Sequence, residues 1–215
     1  ISSNPSKRTV SVLVPARNEE HNIGFCLRSL IAQKYESMEI LVLDDQSTDR
    51  TNQVVQDIAR SDMRVKMLSG SDVPRGWVGK NWACHQLSME AKGEFLLFVD
   101  ADTILSDGAV FSAVMNSIGS SVDLLTVMPK RLAGCIVEKL IFPFIDWASF
   151  CWIPMKRAHR TRNARLSATF GQFMLFKRDA YTAIGGHQAI RSNPVDDVEL
   201  GRATKRRGLR WMLFE

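Results

Sequence analysis

Only four cysteines occur in the 215 residues, at positions 26, 84, 135 and 151, with no Cys-x-x-Cys pair and no metal-ligand spacing. In a chain of this length that pattern predicts reduced thiols in a cytosolic compartment. No run of 18 apolar residues is present and no signal peptide opens the sequence, so no bilayer-spanning helix is expected within it. His21, His85, His159 and His187 show neither an H-E-x-x-H pattern nor clustered spacing, and each is expected at the surface or in packing. No G-x-G-x-x-G follows the first apolar run, which removes the main support for a dinucleotide oxidoreductase. No Pro/Gly/Ser-rich stretch separates two self-sufficient halves, and there is no internal repeat or low-complexity tract. One domain over residues 1–215 is the expectation.

Acid is also missing locally. Residues 156–165 hold five Lys/Arg and no Asp or Glu, leaving 23 basic against 23 acidic residues elsewhere. The net charge of +5 therefore describes one patch.

What is present is an alternation of apolar runs with helix-period segments. Thr9 to Val14, Glu39 to Leu43, Arg64 to Leu68 and Phe95 to Val99 read as strands. Helical spacing falls between them at Ile23–Ile31, after a cap at Thr48 or Asp49, and through Ala83, Leu87 and Met89. This rhythm predicts a parallel α/β sheet covered on both faces. Further along, Val110 to Ile118 and Asp196 to Arg207 are expected helices, and Leu124–Val127, Thr169–Phe176 and Leu209–Phe214 expected strands.

Ligands of open parallel sheets bind at the carboxyl ends of the strands, and the acids gather there: Asp44 and Asp45 after the second run, Asp100 and Asp102 after the fourth. A turn at Ala101 would bring Asp100 and Asp102 towards one ion, and hard oxygen ligands suit Mg²⁺ or Mn²⁺. Taken alone, a D-x-D is short and common, and Asp102 or Ser106 could serve only to cap a helix. Asp196 and Glu199 fit a capping box, which leaves Asp197 without a structural task and suited to act as a general base. The Gly79-Lys80 pair fails as a phosphate loop, because Pro74 stands where glycine is required and no Ser/Thr follows Lys80.

These pieces, in order, resemble glycosyltransferase family 2, the inverting GT-A enzymes. The matching segments are Val12-Leu13-Val14-Pro15-Ala16-Arg17-Asn18-Glu19-Glu20, Val42-Leu43-Asp44-Asp45-Gln46-Ser47-Thr48-Asp49 and Gly79-Lys80-Asn81-Trp82-Ala83. Phe98-Val99-Asp100-Ala101-Asp102, Gly185-Gly186-His187 and Asp196-Asp197-Val198-Glu199-Leu200 complete them. The Gly-Trp-Val-Gly-Lys-Asn-Trp-Ala loop resembles membrane-associated members acting on carotenoid- or hopanoid-type lipids. The resemblance implies a GT-A nucleotide-sugar fold, Rossmann-like and mostly parallel, with residues 9–102 as the nucleotide-binding half and 103–215 as the acceptor half.

It also implies roles. Pro15, Ala16, Arg17, Glu19 and Asp45 would hold base and ribose, and Lys80 would lie near the diphosphate. Asp100 and Asp102 would serve the metal, with Asp102 the direct ligand. Asp197 would be the base, Asp196-Asp197 standing where the family has Glu-Asp. Arg207-Gly208-Leu209-Arg210-Trp211 fits a pattern of processive members but follows the base too closely, so no polysaccharide synthase is inferred.

The function expected is thus a metal-dependent hexosyltransferase moving a sugar from a nucleotide-sugar, a UDP-sugar, to a hydroxyl or carboxyl of a lipid-borne acceptor. Residues 140–165, aromatic and then basic, have the composition of an element lying in the headgroup layer, at the cytoplasmic face of a membrane. No nucleic-acid reading motif accompanies the charge. The polar opening and the apolar run at 211–214 suggest a piece of a longer membrane-associated chain. A sugar nucleotidyltransferase, or a catalytically silent membrane-binding module on the same fold, are the competing readings. The first usually carries a glycine-rich loop, which Pro15–Glu20 lacks.

Overall fold

All the strands that the apolar runs predict are present, and their order explains why the acids converge. The structure, a computed structural model, describes residues 8–130, 137, 140, 141, 144, 154–161 and 163–214. Among these, seven strands form one sheet: β1 (Val10–Ala16), β2 (Met38–Asp44), β3 (Val65–Ser69), β4 (Phe95–Val99), β5 (Leu124–Val127), β6 (Phe173–Lys177) and β7 (Trp211–Phe214). Their order is β3-β2-β1-β4-β6-β5-β7. The first four run parallel to their neighbours, and β5 runs parallel to β7. β6 is antiparallel to both β4 and β5.

Helices cover both faces, because the strands are apolar on both sides. Val12 and Val14 of β1, Ile40 and Val42 of β2 and Leu97 and Val99 of β4 share one core. That core is closed by Ile23, Leu27 and Leu30 of α1 (Ile23–Ile31), Val55 of α2 (Thr51–Ser61) and Val110 and Val114 of α4 (Ala109–Gly119). The alternate residues Leu13, Leu41, Leu43, Leu96 and Phe98 pack in a second core with Ala83 and Leu87 of α3 (Gly79–Glu90) and Leu200 of α8 (Asp196–Arg206). Three short helices were not expected from the sequence: α5 (Met155–Arg160), α6 (Arg178–Ala183) and α7 (Gly186–Ala189).

Several expectations need correction. β1 runs on through Pro15 to Ala16, and β7 begins at Trp211, after the predicted start at Leu209. β6 begins at Phe173, after the predicted start at Thr169, because that segment has other partners: Phe170 N donates to Thr126 Oγ1 and Thr169 Oγ1 to the Asp197 carbonyl. The capping box at α8 is not formed. Val195 is the N-cap, and Asp196 turns inward, while Glu199 pairs with Arg202 and Arg206 along the helix. The end of α8 is as expected. Gly208 adopts a positive φ of 75°, its N–H donating to Lys205 O and that of Leu209 to Thr204 O, a Schellman closure ahead of β7.

Cys26 and Cys84 are free and buried, whereas Cys135 and Cys151 lie outside the described residues. Most of the aromatic stretch at 134–153 lies outside them as well. Among the described residues, no helix is long and apolar enough to cross a membrane.

Candidate active site

The loops that leave β1, β2 and β4 enclose a cleft of about 340 Å³. Pro15, Ala16, Arg17 and Glu19 line it after β1, Asp45 after β2, Gly79, Lys80 and Ala83 from the start of α3, and Asp100, Ala101 and Asp102 after β4. The eight residues expected to hold the donor and its metal therefore share one wall-to-wall site.

Local hydrogen bonds fix the first two loops to each other. Asn18 and Gln46 both take left-handed backbone conformations, φ 56° and 58°. Asn18 N donates to Ser47 Oγ at 3.0 Å and Thr48 N to Asn18 Oδ1 at 2.9 Å. Glu19 N donates to Thr51 Oγ1 and Glu20 N to Asp49 Oδ2. Asp49 also accepts from Thr51, so it belongs to the entry of α2, as expected, although Arg50 is the N-cap.

The two neighbouring acids then divide their work. Asp44 is consumed structurally, accepting from Ser47 N and Asn52 Nδ2. Asp45 instead lines the cleft with its side chain 7% exposed, its Oδ2 3.6 Å from Arg17 and its buried Oδ1 without a hydrogen bond. Burial pushes its carboxyl above the usual carboxylate range, against the pull of Arg17. The edge of this carboxylate that lines the cleft is an acceptor for a donor group on a ligand.

On the third loop, Thr103 N donates to Asp100 O, closing the turn at Ala101 that the sequence predicts. Cys26 Sγ and Ser29 Oγ of α1 hold this loop through Asp100 O and Leu105 N. Asp100 Oδ1 lies 2.8 Å from Lys80 Nζ. The Asp102 side chain is exposed, and among the described residues nothing pairs with it. No group of three or more His, Cys, Asp or Glu side chains is placed to hold a metal among the described residues. Two carboxylates on one turn nevertheless fit Mg²⁺ or Mn²⁺, which take one or two protein carboxylates and complete their shell with phosphate oxygens and water.

Lys80 stands at the centre of the charges, its side chain 40% exposed, with Asp196 Oδ2 at 3.8 Å on its other side. Burial alone would lower its pKa, but Asp100 and Asp196 together raise it, so the ammonium stays charged. The adjacent Asn81 is buried and donates to the carbonyls of Ile190, at 3.0 Å, and Asn193, at 2.8 Å. Val78 N donates to Arg191 O. The residue that reaches the cleft and the residue that anchors the approach to α8 are thus neighbours in sequence.

Asp197, in the first turn of α8, does not line the cleft wall itself. Gly171 lies between it and Lys80: a Cβ built on Gly171 would sit 3.6 Å from Lys80 Nζ and 3.8 Å from Asp197 Oδ2. Burial raises the Asp197 pKa, and the neighbouring Asp196 adds to it, while N–H donation from Val198 and Gly171 works the other way. His187 was expected in packing or at the surface. It is fully buried, and its Nε2 faces Asp196 Oδ2 at 3.9 Å. The sequence carried a signal for His187 and Asn81, since both fall in segments that resemble the family's motifs; Gly171 had none.

The model of the family described as "Glycosyl transferase family 2" matches residues 11–185, which carry every cleft-lining residue named above. The chain belongs to that family. Asp196 and Asp197 fall just beyond the matched span. As a family 2 chain it is 26% identical over 97% of its length to the 4,4'-diaponeurosporenoate glycosyltransferase of Staphylococcus haemolyticus strain JCSC1435, covering 54% of that protein. It is 28% identical over 99% of its length to the Staphylococcus aureus strain USA300 enzyme of the same name, covering 55% of it. The chain thus spans about half the length of these relatives.

Among solved structures it is similar to the mannosyltransferase PcManGT from Pyrobaculum calidifontis in complex with GDP-Man and Mn²⁺, with a TM-score of 0.74 at 22% identity, covering 100% of this chain and 57% of that one. Staphylococcus aureus TarS in complex with UDP-GlcNAc follows, with a TM-score of 0.68 at 22% identity over 96% of this chain and 56% of that one. The likeness establishes the GT-A fold, with its mostly parallel sheet.

Proposed function

We propose that this family 2 chain carries the catalytic site of an inverting hexosyltransferase that moves a sugar from a UDP-sugar to a hydroxyl or carboxyl of a lipid-borne acceptor. The observation that carries the reading is the cleft itself, which brings Asp45, Lys80, Asp100 and Asp102 to one wall with Asp197 just across Gly171. The nucleotide base and ribose lie against Pro15–Glu19 and Asp45, whose carboxylate accepts from the ligand. Lys80 neutralises diphosphate charge. A dication held by Asp100 and Asp102, with Asp102 the direct ligand, would stabilise the departing diphosphate without proton transfer.

Asp197 takes the proton of an acceptor hydroxyl as it attacks. Its raised pKa brings it nearer the working pH, which improves a carboxylate as a base. A single base on the far side of the donor, with attack in line, inverts the sugar carbon. An acceptor that is already a carboxylate needs only orientation there. Residues 9–102 serve the nucleotide and 103–215 the acceptor within one domain.

The lipid acceptor is supported by the named relatives, whose acceptor is a diaponeurosporenoate, a carotenoid. A second support is the exposure of Val137, Leu140, Ile141 and Phe144, all helical, at a spacing that places them on one face. Arg157, Arg160 and Arg165 are exposed shortly after. Apolar residues on one face followed by arginines suit the headgroup layer of an anionic membrane, here on the cytoplasmic side.

Thermal stabilisation and transfer assays with UDP-Glc, UDP-GlcNAc and GDP-Man, each with and without Mn²⁺, test the proposal. Metal-dependent stabilisation by one donor and transfer to a carotenoid or other lipid acceptor is expected. Stabilisation by a nucleoside triphosphate and sugar phosphate, with release of pyrophosphate, would instead indicate nucleotidyl transfer. Flotation with anionic vesicles at low salt tests the docking, and protein left in the bottom fraction would sink that part.

A further inference from the structure

The His187 imidazole has no place in the chemistry above, yet it is fully buried between charged and aromatic groups. Its ring lies 4.8 Å from that of Phe98, in the strand leading to Asp100. An aromatic hydrocarbon would fill that volume without the cost of burying two ring nitrogens. The nitrogens are instead directed. His187 N donates to Tyr181 Oη at 3.1 Å, and Tyr181 Oη lies 2.7 Å from His187 Nδ1. Nε2 faces the Asp196 carboxylate, which can only accept, so the neutral ring carries its hydrogen on Nε2 and Nδ1 accepts from the Tyr181 hydroxyl. Burial keeps the ring neutral, against the pull of Asp196.

That Nε2–H points at Asp196 Oδ2, 3.9 Å away, and both atoms are buried without another hydrogen bond. A closure of about 1 Å would make a hydrogen bond of them. Asp196 Oδ2 is also the atom 3.8 Å from Lys80 Nζ. The order Tyr181, His187, Asp196, Lys80 therefore runs from the second core to the cleft. Asp100 is the nearer partner of Lys80. When Asp100 is engaged by a ligand, Asp196 is the remaining carboxylate within 4 Å of the ammonium among the described residues, and its direction decides where that ammonium stands.

We propose that His187 is a positioning residue: by donating to Asp196 it fixes the carboxylate that holds Lys80 in place for the donor diphosphate. This rests on reading the cleft as a nucleotide-sugar site.

The test is a double-mutant cycle on donor affinity, by calorimetry with UDP-GlcNAc and GDP-Man in the presence of Mn²⁺, with melting temperatures recorded for each protein. His187→Phe fills the same space and is expected to weaken binding about tenfold, whereas His187→Gln, which returns an N–H near Nε2, stays within about threefold. In a Lys80→Met background, His187→Phe is expected to cost nothing further. Should His187→Phe fail to fold, Asp196→Asn paired with Lys80→Met makes the same measurement. Equal losses with and without Lys80, or a His187→Gln protein as weak as His187→Phe, would overturn the proposal while leaving the donor site standing. A wild-type protein that binds neither nucleotide sugar overturns the donor site, and the role of His187 with it.

Discussion

The N–H of Gly171 donates to Asp197 Oδ2 at 3.1 Å, while Val198 N donates to Oδ1 at 2.7 Å. The carboxylate is thereby gripped at both oxygens, one from the loop before β6 and one from its own helix. Asn at this position can keep at most one of the two bonds, because its amide nitrogen is not an acceptor. Asp197→Asn is therefore expected to lower turnover roughly a hundredfold or more while leaving donor affinity within a few-fold. Progress curves with a hydroxyl acceptor, alongside calorimetry with the donor, separate the two effects. Transfer at near the wild-type rate would remove Asp197 from the mechanism.

If Asp197 is the base, the same residue is expected to set the acid limb of activity. Burial raises its pKa, and a base works only when deprotonated, so kcat/KM should fall as the pH drops through a value above the ordinary 3.8. A pH–rate profile checks this. An acid limb at or below the ordinary carboxylate value would mean that another group titrates.

Asp45 carries an opposite trade. Its folded-state pKa is raised by burial, so its charged form weakens the free protein at every pH above that value. Asp45→Asn should accordingly leave the free protein as stable or slightly more so, while weakening donor binding about tenfold or more through loss of a charged acceptor. Melting temperature and donor affinity, measured on one preparation, should move apart. A parallel fall in both would make Asp45 a structural acid like Asp44.

Stability away from the cleft depends on a close approach at Gly93. A Cβ there would lie 2.5 Å from Ser11 N and 2.8 Å from Val10 C, backbone atoms of β1 that cannot move aside cheaply. Gly93 N and Lys92 N both donate to Ser11 Oγ, which in turn donates to Glu39. Gly93→Ala should cost about 2 kcal/mol or more and lower the melting temperature by several degrees. Thermal denaturation reads this directly, and an unchanged midpoint would show that the approach of Gly93 to β1 relaxes.

The sheet was legible in the sequence wherever strands are buried on both faces. Phe95–Val99 and Leu124–Val127 fall at the boundaries that their apolar runs predict. The direction of β6 was not legible, because Phe-Met-Leu-Phe alternates in the same way whether it runs with β4 or against it. Four- and six-residue helices such as α7 and α6 have too few turns to show a period. In the site, acids at strand ends were readable from position alone. Residue type and position alone did not separate Asp44 from Asp45; the family resemblance singled out Asp45, and the Ser47 and Asn52 contacts give the physical reason that Asp44 is held back. Asp196 shows the converse failure, since a plausible helix cap yielded to the pull of Lys80 and His187 in three dimensions.

The reversal of β6 bears on how such proteins can be recombined. Val99, the last residue of β4, lies opposite Phe173, the first of β6, so the turn of Asp100 and the bend of Gly171 emerge side by side. Within the sheet, a chimera spliced after residue 102 would join two parents across that one seam. Were the foreign β6 to settle two places out of register, its entry loop would travel by about 7 Å. On the proposed reading, such a hybrid is expected to bind donor and yet hold Asp197 out of reach of the sugar.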